Sequence, residues 1–149
     1  MAKEQTSATA EVFETVPMVM RSLRKNFRAR RDPDLTLPEF RGLAFINAQP
    51  GCALNELAEH VGVEPPAASK LVEHLVRGGL VKRQPSPQDR RRVELRVLAK
   101  GEKTILAVRE QTREYLSKQL ARLTRREQDT LIEAMHILKA AFSSPPKKE

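Results

Sequence analysis

The hydrophobic pattern changes period once in the middle of the chain, and that change most constrains what the chain can fold into. Up to Gly78-Gly79 the apolar residues recur in steps of three and four, the spacing of one face of a helix. Directly afterwards Leu80-Val81-Lys82-Arg83-Gln84 reads as a strand. Val93, Leu95 and Val97 then alternate with Glu94 and Arg96, the period of two expected of a strand with one buried face. Pro85-Ser86-Pro87-Gln88-Asp89 and the run Arg90-Arg91-Arg92 lie between them, so the two strands form a hairpin with a long basic tip. The helical spacing returns from Glu102.

The flanking segments carry their own start and stop signals. Residues 1–9 are polar, and the first helix is expected from Val12, with Val16, Met20, Leu23 and Phe27 on one face. Its second half holds Arg21, Arg24, Lys25, Arg28, Arg30 and Arg31 without an acid, and Pro33 opposes continuation. Thr36-Leu37-Pro38-Glu39 fits a capping box that opens a second helix through Phe40, Leu43 and Ala44. Pro50-Gly51 ends it. A short helix follows with Leu54, Leu57, Ala58 and Val61 on one side, closed by Gly62. Pro65 suits the first position of the next helix, which buries Ala68, Leu71, Val72 and Leu75. After the hairpin, Gly101 precedes or interrupts a long helix expected over 102–123. Thr124-Arg125-Arg126-Glu127 is a second capping box, opening a last helix with Leu131, Met135, Leu138 and Phe142.

Charge narrows the partners. Among 149 residues, 27 Lys and Arg face 19 Asp and Glu, a net charge of +8, which points to a polyanionic partner such as nucleic acid or an anionic membrane surface. Aromatic residues are only 4%, with no Trp, which argues against stacking platforms for single-stranded bases. With one cysteine, Cys52, there is neither an intrachain disulfide nor a thiolate zinc cluster. The start lacks the apolar stretch of a signal peptide, and no segment has the length of a membrane span, so a cytoplasmic protein is expected. His60, His74 and His136 fall on three different helices without metal-ligand spacing. No phosphate loop, nucleophile elbow or convergent acid pair is present, so neither an enzyme nor a bound cofactor is expected.

Two short helices joined at a glycine and followed by a basic hairpin have the order of a winged helix-turn-helix, in which the second helix enters the major groove. The combination of Glu56-Leu57-Ala58, Gly62, Gly79-Leu80-Val81, Arg83, Asp89-Arg90-Arg91 and Gly101 resembles the MarR family of bacterial transcription regulators. The resemblance implies a mainly α fold with a small β-hairpin wing. It implies a DNA-binding module over 35–101, flanked by dimerisation helices at 1–34 and 102–149 in one interlocked domain. It implies a homodimer on double-stranded DNA, usually a repressor, released from an inverted repeat by a small anionic or phenolic effector or by oxidation of a cysteine. It places Pro66, Ala67, Ser69 and Lys70 on the groove-facing side of the recognition helix, with Lys70 approaching guanine. It places Arg91 in the minor groove, with Asp89 holding that arginine and its loop, and Arg83 on backbone phosphate. Arg90 and Arg92 join the same tip.

Ser or Thr, common in the family at the positions of Ala53 and Ala67, is absent here, and Leu98 stands where a Thr usually precedes the long helix. The first change removes an N-cap, for which Asn55 could substitute one turn later. Met20, Arg21, Phe40 and Phe45 are nominated as the wall of an effector pocket, with Arg21 able to pair a carboxylate. The apolar stripes Val12–Phe27 and Ile105–Leu138 read as core or as a seam against a second copy. Two other readings share the wing: a constitutive or architectural DNA-binding protein with a packed cleft, and a thiol switch using Cys52. Against the latter, a small packed hydrophobe is the ordinary role of a lone cysteine.

Overall fold

A computed structural model describes residues 7–29 and 35–143. Arg30, Arg31, Pro33 and the Pro145-Pro146 tail lie outside these. The elements run α1 (Ala8–Arg28), α2 (Leu37–Ala48), α3 (Leu54–Val61), α4 (Pro65–Arg77), β1 (Val81–Pro85), β2 (Val93–Val97), α5 (Ala99–Leu120) and α6 (Arg125–Ser143). The order is the expected one. The chain divides into two compact units, residues 1–112 and 113–149.

Local chemistry sets most boundaries. α1 starts four residues before Val12, because the Ser7 side chain accepts from Ala10 N–H at 3.1 Å and caps the helix. The capping box at α2 is complete: Thr36 N–H donates to Glu39 Oε2 at 2.7 Å, and Glu39 N–H donates to Thr36 Oγ1 at 3.4 Å. Only half of such a box exists at α3, where Ala53 N–H donates to Glu56 Oε2 at 2.8 Å. Asn55 lies inside that helix and does not cap it. Gly62 ends α3 at φ 77°, the left-handed conformation that a side chain disfavours. α5 begins at Ala99, three residues earlier than its periodicity indicates, with Gly101 in its first turn. A Cβ on Gly101 would overlap the Leu80 carbonyl oxygen and sit 2.7 Å from Val97 Cγ1. Glycine is therefore what lets α5 pack against the base of the hairpin.

In the first unit the core gathers Leu43 and Ile46 of α2, Leu57 of α3, Val72 and Leu75 of α4, Val81 and Leu95 of the hairpin, and Ile105 of α5, all with at most 2% exposure. The strands pair antiparallel with Val81 opposite Val97 and Pro85 opposite Val93. The alternation of β2 is only partly buried. Leu95 is enclosed, Val97 is half-buried, and Val93, nearest the tip, is 53% exposed because the core ends below it. A third backbone segment joins the hairpin: Gly51 N–H donates to Leu95 O at 2.9 Å and Leu95 N–H to Cys52 O at 3.0 Å. In the second unit, Thr124 and Glu127 close the second capping box, Thr124 N–H reaching Glu127 Oε2 at 2.7 Å. α1 and α6 contain no buried residue.

Candidate nucleic-acid interface

The HTH pair is α3 and α4, joined through Gly62 and opened at α4 by Pro65 in its first turn. Ala68, Leu71, Val72 and Leu75 bury one side of α4. The opposite side presents Pro66, Ala67 and Lys70 to solvent, with Ser69 half-buried at its margin. These are the residues expected to face a groove, and the helical period alone puts them together once the apolar face is buried. Glu39 does two jobs here. Besides capping α2, it holds the His74 Nδ1 of α4 at 2.7 Å, which ties the recognition helix to the helix beneath it.

The wing is β1, β2 and the tip between them. Its conformation is set by internal hydrogen bonds. Ser86 N–H donates to Arg92 O at 2.8 Å and Arg92 N–H to Asp89 O at 2.9 Å. Asp89 Oδ1 accepts from the backbone N–H of Arg91 at 3.0 Å. Asp89 therefore holds the loop at Arg91 through the main chain, and the guanidinium is left to solvent. Ser86, buried between two prolines, bonds Gln88 Oε1 through its hydroxyl at 3.0 Å and is the internal anchor of the tip. Arg90, Arg91 and Arg92 are exposed, and their guanidiniums have no ion-pair partner among the described residues. A rigid loop carrying three unpaired guanidiniums is a strong anion-binding surface.

Arg83, expected on phosphate, is exposed on β1, and its Nη2 donates to Ser69 O at 3.5 Å. The contact is long, and it brings wing and recognition helix next to each other. Sequence spacing alone does not indicate the Arg83–Ser69 contact, which joins residues fourteen apart.

The nominated effector wall does not converge on one place. Phe40 packs on Phe27 of α1 with ring centroids 5.6 Å apart. Phe45, five residues on, points to another side of α2 and stacks on His60 at 4.3 Å. Met20 and Arg21 are exposed on α1, and Met20 shares the face of Phe27 two turns away. Cys52 is 5% exposed in the segment paired with Leu95. Burial, with Glu56 nearby, pushes its thiol from 9.0 up to about 11. A protonated, enclosed thiol is a poor nucleophile, so the structure favours the packing role. Among the described residues no group of His, Cys, Asp and Glu could hold a metal ion. No helix there is long and apolar enough to cross a membrane.

Comparison with known proteins agrees with this geometry. A family model described as MarR family matches residues 34–92, from the start of α2 to the wing tip. An uncharacterized HTH-type transcriptional regulator of Mycobacterium bovis is 30% identical over 129 residues, 86% of this chain and 90% of that protein. Among solved structures, RV1404 from Mycobacterium tuberculosis superposes with a TM-score of 0.79 at 24% identity, covering 99% of this chain and all of that one. Streptococcus pneumoniae FabT in complex with DNA superposes at 0.69 with 18% identity, covering 89% and 96%. The two structural likenesses speak for the fold.

Proposed function

Because the chain belongs to the MarR family, and is thus a DNA-binding transcription regulator and not an enzyme, we propose that it acts as a homodimeric repressor. Each winged module reads half of an inverted repeat, and a small anionic or phenolic ligand releases the dimer. The observation that carries the reading is the pairing of an exposed polar face on α4 with the braced tri-arginine tip. Lys70 and Ser69 reach base edges in the major groove, where Lys70 donates to guanine O6 and N7. Arg91 enters the adjoining minor groove, whose narrow A·T stretches concentrate negative potential. Arg90, Arg92 and Arg83 neutralise phosphates.

Dimerisation is supported by α1 and α6. Both are amphipathic, neither buries a residue within the chain, and Phe13, Met18, Ile137 and Phe142 are 61–80% exposed. The apolar faces of these 21- and 19-residue helices gain by burial against a second copy. Repression follows from occupancy, since a dimer seated over a promoter excludes polymerase. For release, Met20, Arg21 and Phe40 supply one wall where α1 meets α2, with Arg21 available to a carboxylate, while Phe45 faces a separate cleft. The ligand weakens DNA binding by its greater affinity for a form whose recognition helices are mis-spaced.

Sedimentation of the protein alone and footprinting on its operator test this reading. It predicts a dimer protecting two half-sites about 34–36 Å apart. A monomer protecting a single half-site would defeat it.

A further inference from the structure

An open cleft of the first unit lies at the C-terminal end of α2 and along α3, sharing Gly51 and Glu56 with a smaller hollow beside the wing tip. Its volume is about 590 Å³, within the range of small-molecule sites. One wall is the Phe45–His60 stack, two nearly parallel rings with an interplanar angle of 21°. Pro50 and Cys52 give it an apolar floor. The rim carries the carboxylates of Glu56 and Glu59, and no Lys or Arg lines it although the chain has a net charge of +8.

We propose that this cleft binds a flat aromatic cation, a ring bearing a protonated amine or amidine, with the ring against Phe45 and His60 and the charge at Glu59. A flat aromatic ring gains against the exposed His60 side of this stack. Glu56 is partly committed to Ala53 N–H, while Glu59 has neither an ion pair nor a hydrogen bond among the described residues. Glu59 is therefore the carboxylate free to receive a charge-assisted hydrogen bond. The same carboxylates repel phosphate, so this cleft differs in charge from the arginine-bearing tip beside it. They also disfavour the anionic class proposed for release, so the site does not rest on that reading. The thiol at the floor, held protonated, leaves the base of the cleft uncharged.

The test titrates the full chain, without DNA, with p-aminobenzamidine and with p-aminobenzoate, which share a ring and differ in the sign of their charge. Chemical shifts are followed by NMR. The cation should move the resonances of Phe45, Glu59 and His60 together, and the anion should not. Glu59→Gln should weaken the cation about fivefold, the scale of an exposed ion pair. Glu59→Lys should abolish binding, and because Glu59 is exposed and unbonded both variants fold. Equal shifts from the benzoate, no shifts from the benzamidine up to about 10 mM, or unchanged binding by Glu59→Lys would overturn the proposal. Operator affinity of the ligand-free protein, measured separately, reports on the regulator reading alone.

Discussion

Replacing Arg91 with alanine isolates the wing from everything else. The side chain is exposed and its guanidinium has no ion-pair partner among the described residues, so its loss opens no cavity. The loop geometry survives, because Asp89 Oδ1 holds the backbone N–H of residue 91 and Ser86 holds the carbonyl of Arg92. What disappears is one charged fork per wing. A good groove contact of this kind contributes about 1–3 kcal/mol, so each half-site loses about that much. The two wings of a dimer act at separate half-sites and their losses add, giving about 2–6 kcal/mol per operator. At about 1.4 kcal/mol per tenfold, operator affinity falls at least about 30-fold. Fluorescence anisotropy on a labelled operator at fixed salt measures it, with thermal melting as the folding control. Unchanged operator affinity in a folded Arg91→Ala dimer would refute the wing assignment.

Other perturbations probe the frame around that contact. Gly101→Ala should lower stability by about 1–3 kcal/mol through overpacking against the Leu80 carbonyl and Val97, read as a fall in melting temperature. Ile137→Glu, placed at a side chain 72% exposed in the single chain, should leave helical content intact while shifting sedimentation to monomer and weakening operator binding. Cys52→Ser should keep the full response of operator binding to any oxidant, and alkylation of wild-type Cys52 should stay slow until the pH approaches 11. Since the folded thiol titrates higher than its ordinary 9.0, its contribution to stability is intact below pH 9. It is lost as pH rises towards 11, so wild type should lose stability there relative to Cys52→Ser in urea melts.

The parts legible in sequence were those whose cause is local. The Thr36–Glu39 and Thr124–Glu127 boxes join residues three apart, and both form. The hairpin announced itself by its change of period, and the order of elements followed. Boundaries depart from the periodicity where capping or tertiary contact decides. Apolar periodicity started α1 at Val12 and α5 at Glu102, but a Ser7 cap and a close glycine packing move both starts towards the N-terminus. Asn55 looked like a cap, but the Glu56 carboxylate already serves the Ala53 N–H. At the interface, the exposed face of α4 was readable from its buried face. The Glu39–His74 tie is not readable there, because it depends on which segments fold against each other.

The most direct test of the account is selection of genomic DNA fragments by the purified protein at near-physiological salt, with enriched sequences counted. The account predicts an inverted repeat whose half-sites lie about one helical turn apart, with affinity falling steeply as salt rises. Salt-sensitive binding without any enriched repeat would contradict it, and would leave a chain that binds DNA by charge without reading it as a symmetric dimer.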